Sequence, residues 1–129
     1  MIFTRTTNLY VDGTKLASSV EKFESDGILE FTGTIAAAAE LQVSMGVDPA
    51  NVIAVFISSA EALTVCTNDT KESGSAVDVI SVRAGVPLSW VSGDPLNVLL
   101  GAPVDDFYIT NEGAADTVVS LRILMDVTP

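Results

Sequence analysis

The 129-residue chain contains no histidine and only one cysteine. Zinc and other metals that favour nitrogen or sulfur ligands need clusters of those side chains, so such sites are excluded. A serine or cysteine nucleophile usually takes its base from histidine, and that chemistry loses its commonest partner. Lys15, Lys22 and Lys71 leave a Ser–Lys pair formally open. No strand–turn–helix elbow supports one. Cys66 cannot form an internal disulfide. Its alternation with Val65 and Thr67 marks it as a small buried hydrophobe in a strand. Nothing points to an oxidising compartment, so synthesis in a cytoplasm is the default expectation.

Positive charge is also scarce. Six Lys and Arg stand against 17 Asp and Glu, a formal net charge of −11. That field repels a phosphate backbone and an anionic membrane surface, so neither nucleic acid nor membrane is an expected partner. The longest uncharged apolar stretch, residues 49–60, is far too short for a transmembrane helix. The opening residues 1–7 carry one positive charge and no apolar run behind it, and they do not read as a secretory leader. No phosphate-cradling glycine loop is present, since Gly27, Gly33 and Gly46 are dispersed and none opens a βα unit. Aromatic residues make up only 6% of the chain. Trp90 alternates with Leu88 and Val86, which reads as core or subunit interface rather than a sugar-stacking platform. Asp94, Asp105 and Asp106 lie near one another in sequence and could hold calcium. They fit no EF-hand spacing, and turn or solvated-loop roles are the simpler reading. With seventeen carboxylates, some pair will match a glycosidase separation by chance, so that signal carries no weight. No catalytic residue, cofactor or metal ligand is therefore assigned, and the chain is not expected to be an enzyme.

What is present is period-two alternation. Val119, Leu121, Ile123, Met125 and Val127 share one face of a C-terminal segment, with Ser120, Arg122 and Asp126 on the other. Residues 63–68 and 86–90 alternate in the same way. Residues 77–82 are β-branched and apolar, and 106–110 make another short strand. Residues 51–58 read as a strand buried on both sides. Residues 34–45 contain a run of helix-forming alanines. Yet Ile35, Ala37, Ala39, Leu41, Val43 and Met45 share one parity, so a single strand is predicted across that stretch. Residues 18–26 are open to a short helix. Turn chemistry separates the segments. Asp12-Gly13 suits a tight hairpin between residues 9–11 and 15–16. Residues 46–49, 68–75, 92–95 and 111–113 supply further breaks. The expectation is one all-β domain over residues 1–129, an antiparallel β-sandwich or jelly-roll-like barrel.

A mean hydropathy of +0.45 alongside such acidity suggests apolar surface that is covered by partner chains. The second half carries a recognisable order of segments. Ala62-Leu63-Thr64-Val65-Cys66-Thr67-Asn68 comes first. Ala84-Gly85-Val86-Pro87-Leu88-Ser89-Trp90 and a Gly-Asp-Pro turn follow. Phe107-Tyr108-Ile109-Thr110-Asn111 then precedes the terminal strand. Over residues 50–127 this order resembles small β-sandwich virion structural proteins of tailed bacteriophages, of the capsid decoration or cement kind. The resemblance implies a protein on the capsid surface, made in the host cytoplasm, that contacts the major capsid protein or other virion proteins. It also implies a homo-oligomer, trimer or dimer, and carries over no catalytic residue. A neck, head-fibre or tail-associated adaptor is the alternative within that setting. A carbohydrate- or ligand-binding module using Trp90 and the loop at residues 92–96 is the alternative outside it.

Overall fold

The structure is a computed structural model that describes residues 2–25, 27–94 and 102–126. It is all-β. A two-stranded hairpin comes first, β1 (Ile2–Val11) and β2 (Thr14–Glu24). Eight strands follow: β3 (Gly27–Ile35), β4 (Glu40–Val47), β5 (Val52–Ser58), β6 (Leu63–Thr67), β7 (Val79–Val82), β8 (Leu88–Val91), β9 (Val104–Asn111) and β10 (Thr117–Met125). Among the described residues, the helical content is a 3₁₀ turn at Pro49–Asn51. It is capped by the Asp48 carboxylate, which accepts from the Ala50 N–H.

The eight strands form two four-stranded antiparallel sheets, ordered β3-β10-β5-β8 and β4-β9-β6-β7. The first strand of the set pairs with the last, the second with the seventh, the third with the sixth and the fourth with the fifth. A long hairpin rolled up on itself gives that order, which is the jelly-roll topology. Alternation along each strand then builds the core from rows of inward side chains. Leu29, Ile123, Val55 and Trp90 form one row across the first sheet, and Phe31, Leu121, Ile57 and Leu88 form the next. Leu41, Ile109, Val65 and Ile80 face them from the second sheet. All twelve belong to one packed cluster. The predicted β-sandwich is therefore the observed fold.

Three local expectations differ from it. Residues 34–45 are not one strand. The chain leaves the first sheet at Ile35, turns through residues 36–39 and enters the second sheet at Glu40. Ala38 takes a left-handed φ of 58°, which no alanine-rich pattern announces. Distant groups hold the turn. Ala37 N–H donates to Asp116 at 3.1 Å, and Asn111 N–H donates to the Ala39 carbonyl at 2.9 Å. The short helix left open over residues 18–26 does not form in the described part of that stretch, because β2 runs on to Glu24; residue 26 lies outside the described residues. Strand β5 is not buried evenly on both sides, since Phe56 remains 38% exposed.

Candidate functional site

The hairpin is built on Asp12 and Gly13, whose φ values of 49° and 77° are those of a tight type I′ turn. Its strands are far longer than the turn signal foretold. Every residue from 6 to 20 is exposed, so this distal part stands clear of the sandwich on both faces. Six residues from Thr6 to Val11 at about 3.3 Å each make an arm of about 20 Å. It displays Leu9, Tyr10, Val11, Leu16 and Val20, all more than 45% exposed. Asp12 and Lys15 are its charged side chains. An isolated two-stranded ribbon is marginal in water, so such an arm gains stability from whatever covers it.

The base of the hairpin is anchored. Residues 3–5 lie on the outer face of the β3-β10-β5-β8 sheet. Ile28, Leu124, Ala54 and Val91 form one outward row there. Ala54 and Val91 are nevertheless buried, at 7% and 2% exposure, although neither belongs to the sandwich core. Arg5 fixes the contact. Its guanidinium donates to both oxygens of Asp94, at 2.7 and 2.8 Å. It also donates twice to Glu21 Oε1, at 3.0 and 2.7 Å. Asp94 accepts a third bond from the Val91 N–H at 3.0 Å. The Arg5 hydrogen bonds hold the Asp94 carboxyl below the usual carboxylate range. The same pairing raises Arg5, which stays charged throughout.

Beside this anchor lies an open groove of about 330 Å³, lined by Phe3, Thr4, Ile28, Ala54, Phe56, Arg122 and Leu124. Phe3 and Thr4 are successive residues and point to opposite faces of the ribbon. The groove therefore runs along the edge of β1 that is free of a partner strand among the described residues. Arg122, opposite Glu30 at 3.7 Å, is its charged member.

The far side of the molecule carries a different feature. The loop at residues 68–77 straps the outer face of the β4-β9-β6-β7 sheet. Lys71 N–H donates to Glu40 at 3.2 Å, and its ammonium pairs with Glu112. Lys71 pulls the Glu112 carboxyl down, helped by the Thr64 hydroxyl. Cys66 points outward in the row Gln42, Tyr108, Cys66, Val79, yet it is fully buried. The strap covers this face, and burial pushes the Cys66 thiol up.

Asp94 pairs with Arg5 on one outer face, while Asp106 accepts from Ser44 and Gln42 on the other. Asp105 flanks Asn68, whose side chain accepts its N–H. The three aspartates are not brought together, and the described residues contain no group of three or more potential metal ligands. Lys15 and Lys22 are exposed on the hairpin, and Lys71 is held by Glu112. Gly27 and Gly33 lie in β3 and Gly46 in β4. Trp90 packs inward against the core, with its indole N–H buried and lacking a hydrogen-bond partner. Of the loop at residues 92–96, positions 95 and 96 lie outside the described residues, as does Val127 of the C-terminal alternation. The arm is what sequence reasoning missed. Thr6, Thr7, Asn8, Ser18 and Ser19 interrupt any apolar pattern, and the one usable signal was the Asp-Gly turn. No family model, curated protein or solved structure matches the chain.

Proposed function

We propose that this chain is a structural subunit of a tailed-phage particle, a capsid decoration or cement protein that stabilises the head through protein–protein contacts. The carrying observation is the hairpin arm: fifteen consecutive exposed residues, with apolar side chains on a ribbon too thin to be stable alone. Such an element makes physical sense as one that neighbours cover on assembly. The segment order over residues 50–127 supports the phage setting by resemblance. The jelly roll is a common capsid architecture, although it also serves lectins and many other proteins, so that support is by analogy. The partners in this reading are the major capsid protein or other virion proteins, together with further copies of the chain. It assigns no catalysis, cofactor or nucleic-acid contact.

The charge distribution fits the same role. Residues 2–24 hold three basic and three acidic side chains and are neutral. The rest of the chain holds three basic and fourteen acidic ones, and so carries the whole −11. The acidic sandwich keeps free subunits apart, and the neutral arm is the part that can approach another protein without that penalty. Particles purified from cells that make this protein provide the test. Quantitative mass spectrometry should find it in hundreds of copies, in fixed ratio to the major capsid protein. About a dozen copies would move it to the neck, head fibre or tail. Its absence from particles would overturn the reading.

A further inference from the structure

We infer that two copies of this chain dimerise through the free edges of β1, each arm tip entering the groove at the base of the other arm. The inference rests on the assembly reading above and specifies one of its contacts.

An exposed strand edge offers unpaired N–H and C=O groups to another chain. The two edges of the hairpin are unequal. Strand β2 carries Lys15 and Lys22, and the register slips at Leu16, a bulge that disturbs its edge. Strand β1 has ten residues, no bulge, no proline and one charge, Arg5. That charge is already occupied by Glu21 and Asp94. The edge of β1 is thus the longer regular edge of the hairpin, with its one charge already paired. Among the described residues the sandwich has four edge strands: β7 and β8 have four residues each, β4 is interrupted by a register shift after Ser44, and β3 carries the charge of Glu30.

Symmetry restricts the register. A two-fold axis normal to a sheet leaves each side chain on its own face, so facing residues in an antiparallel pair must have numbers of even sum. Centring on Thr6 places Ile2 opposite Tyr10, Phe3 opposite Leu9, Thr4 opposite Asn8, Arg5 opposite Thr7, and Thr6 opposite itself. Apolar meets apolar at both ends, and no like charges face each other. Centring on Thr7 instead sets Arg5 opposite Leu9 and Thr4 opposite Tyr10, a poorer match. The Thr6 register also brings Leu9 and Tyr10 of the second copy beside Phe3 and Ile2. The groove opens there, with Ile28, Phe56 and Leu124 in its wall.

Electrostatics agrees with this geometry. The arms that meet are neutral. The two Ile2 positions lie eight residues apart along the ribbon, about 26 Å. The acidic sandwiches therefore sit at opposite ends of the pair. That separation exceeds the roughly 8 Å over which salt screens exposed charge at physiological ionic strength.

The test uses the full chain. Light scattering at micromolar concentration should give twice the 13.5 kDa chain mass. Thr6→Cys should then cross-link to itself on mild oxidation, because directly opposed residues lie about 4.5–5.5 Å apart, within disulfide reach. Asn8→Cys points to the same face, but its copies are about 13 Å apart and should not link. Wild type, with Cys66 buried, is the blank. Tyr10→Asp should shift the protein to monomer with its β-sheet spectrum intact. A monomeric wild type overturns the pairing, as does a dimer that links as well through Asn8→Cys or ignores Tyr10→Asp. A monomer that still decorates particles defeats this contact and leaves the virion reading standing. A cross-linked dimer from a chain absent from particles does the reverse.

Discussion

The Arg5 anchor determines whether the arm is aimed or loose, and Arg5→Met isolates that effect. Methionine keeps much of the apolar stem and removes four charge-assisted hydrogen bonds to Glu21 and Asp94. A fully exposed ion pair is worth less than about 1 kcal/mol. Here the Arg5 side chain is only 22% exposed and Asp94 24%, and the Asp94 contact is bidentate. Discounted for the remaining solvent screening, the anchor contributes about 1–2 kcal/mol to docking the hairpin base. That corresponds to about a 5- to 30-fold change in an opening equilibrium. Hydrogen exchange, corrected for intrinsic rates, reads it directly. Amides of residues 2–24 should exchange about 5- to 30-fold faster in Arg5→Met, while those of β9 and β10 are unchanged. The pH dependence has a definite sign. Asp94 is depressed below its ordinary 3.8 by the Arg5 contact, so its contribution is full above that value. It is lost as the pH falls through the lower folded value, whereas Arg5 stays charged. Acid should therefore loosen the hairpin more in the wild type than in Arg5→Met. Equal loss of protection in β9 would refute the reasoning, because the anchor would then hold the whole fold. No change in the hairpin would refute it as well.

Two other substitutions probe the sandwich. Asn111 is fully buried; its amide donates to the carbonyls of Ile35 and Ala115, and its oxygen accepts from the Gly113 N–H. Asn111→Ala leaves those backbone groups without their partner and should cost about 2–4 kcal/mol, measured as a lower urea midpoint with unchanged slope. Cys66 should be inert to a thiol reagent in the native protein, because burial removes access and disfavours the thiolate. Its labelling should speed up only on unfolding, and fast labelling of the native chain would show that the 68–77 strap is open.

The strands of the sandwich were legible because they bury one face and expose the other. Val119, Leu121 and Ile123 alternate as a half-buried strand must, and they are fully buried. Residues 36–39 were not legible. Their parity continues across the break, with Ala37 and Ala39 half-buried as a strand would have them. The turn is imposed by Asp116 and Asn111, some seventy to eighty residues away, and local pattern cannot report partners at that distance. The arm was hidden for the opposite reason. A ribbon exposed on both faces has no core to impose alternation, so threonine, serine and asparagine occur where a buried strand would show valine or isoleucine. The covered outer row at Ala54 and Val91 was half legible. The apolar run over residues 51–58 announced burial on two sides, but not that Phe3 and Thr4 come to lie beside Ala54 on the second.

Electron cryomicroscopy of particles from cells that make this protein tests the account most directly. The account predicts density for this jelly roll on the outside of the head, with residues 6–20 buried against neighbouring subunits. Particles without the protein, or subunits whose arms project free into solvent, would contradict it.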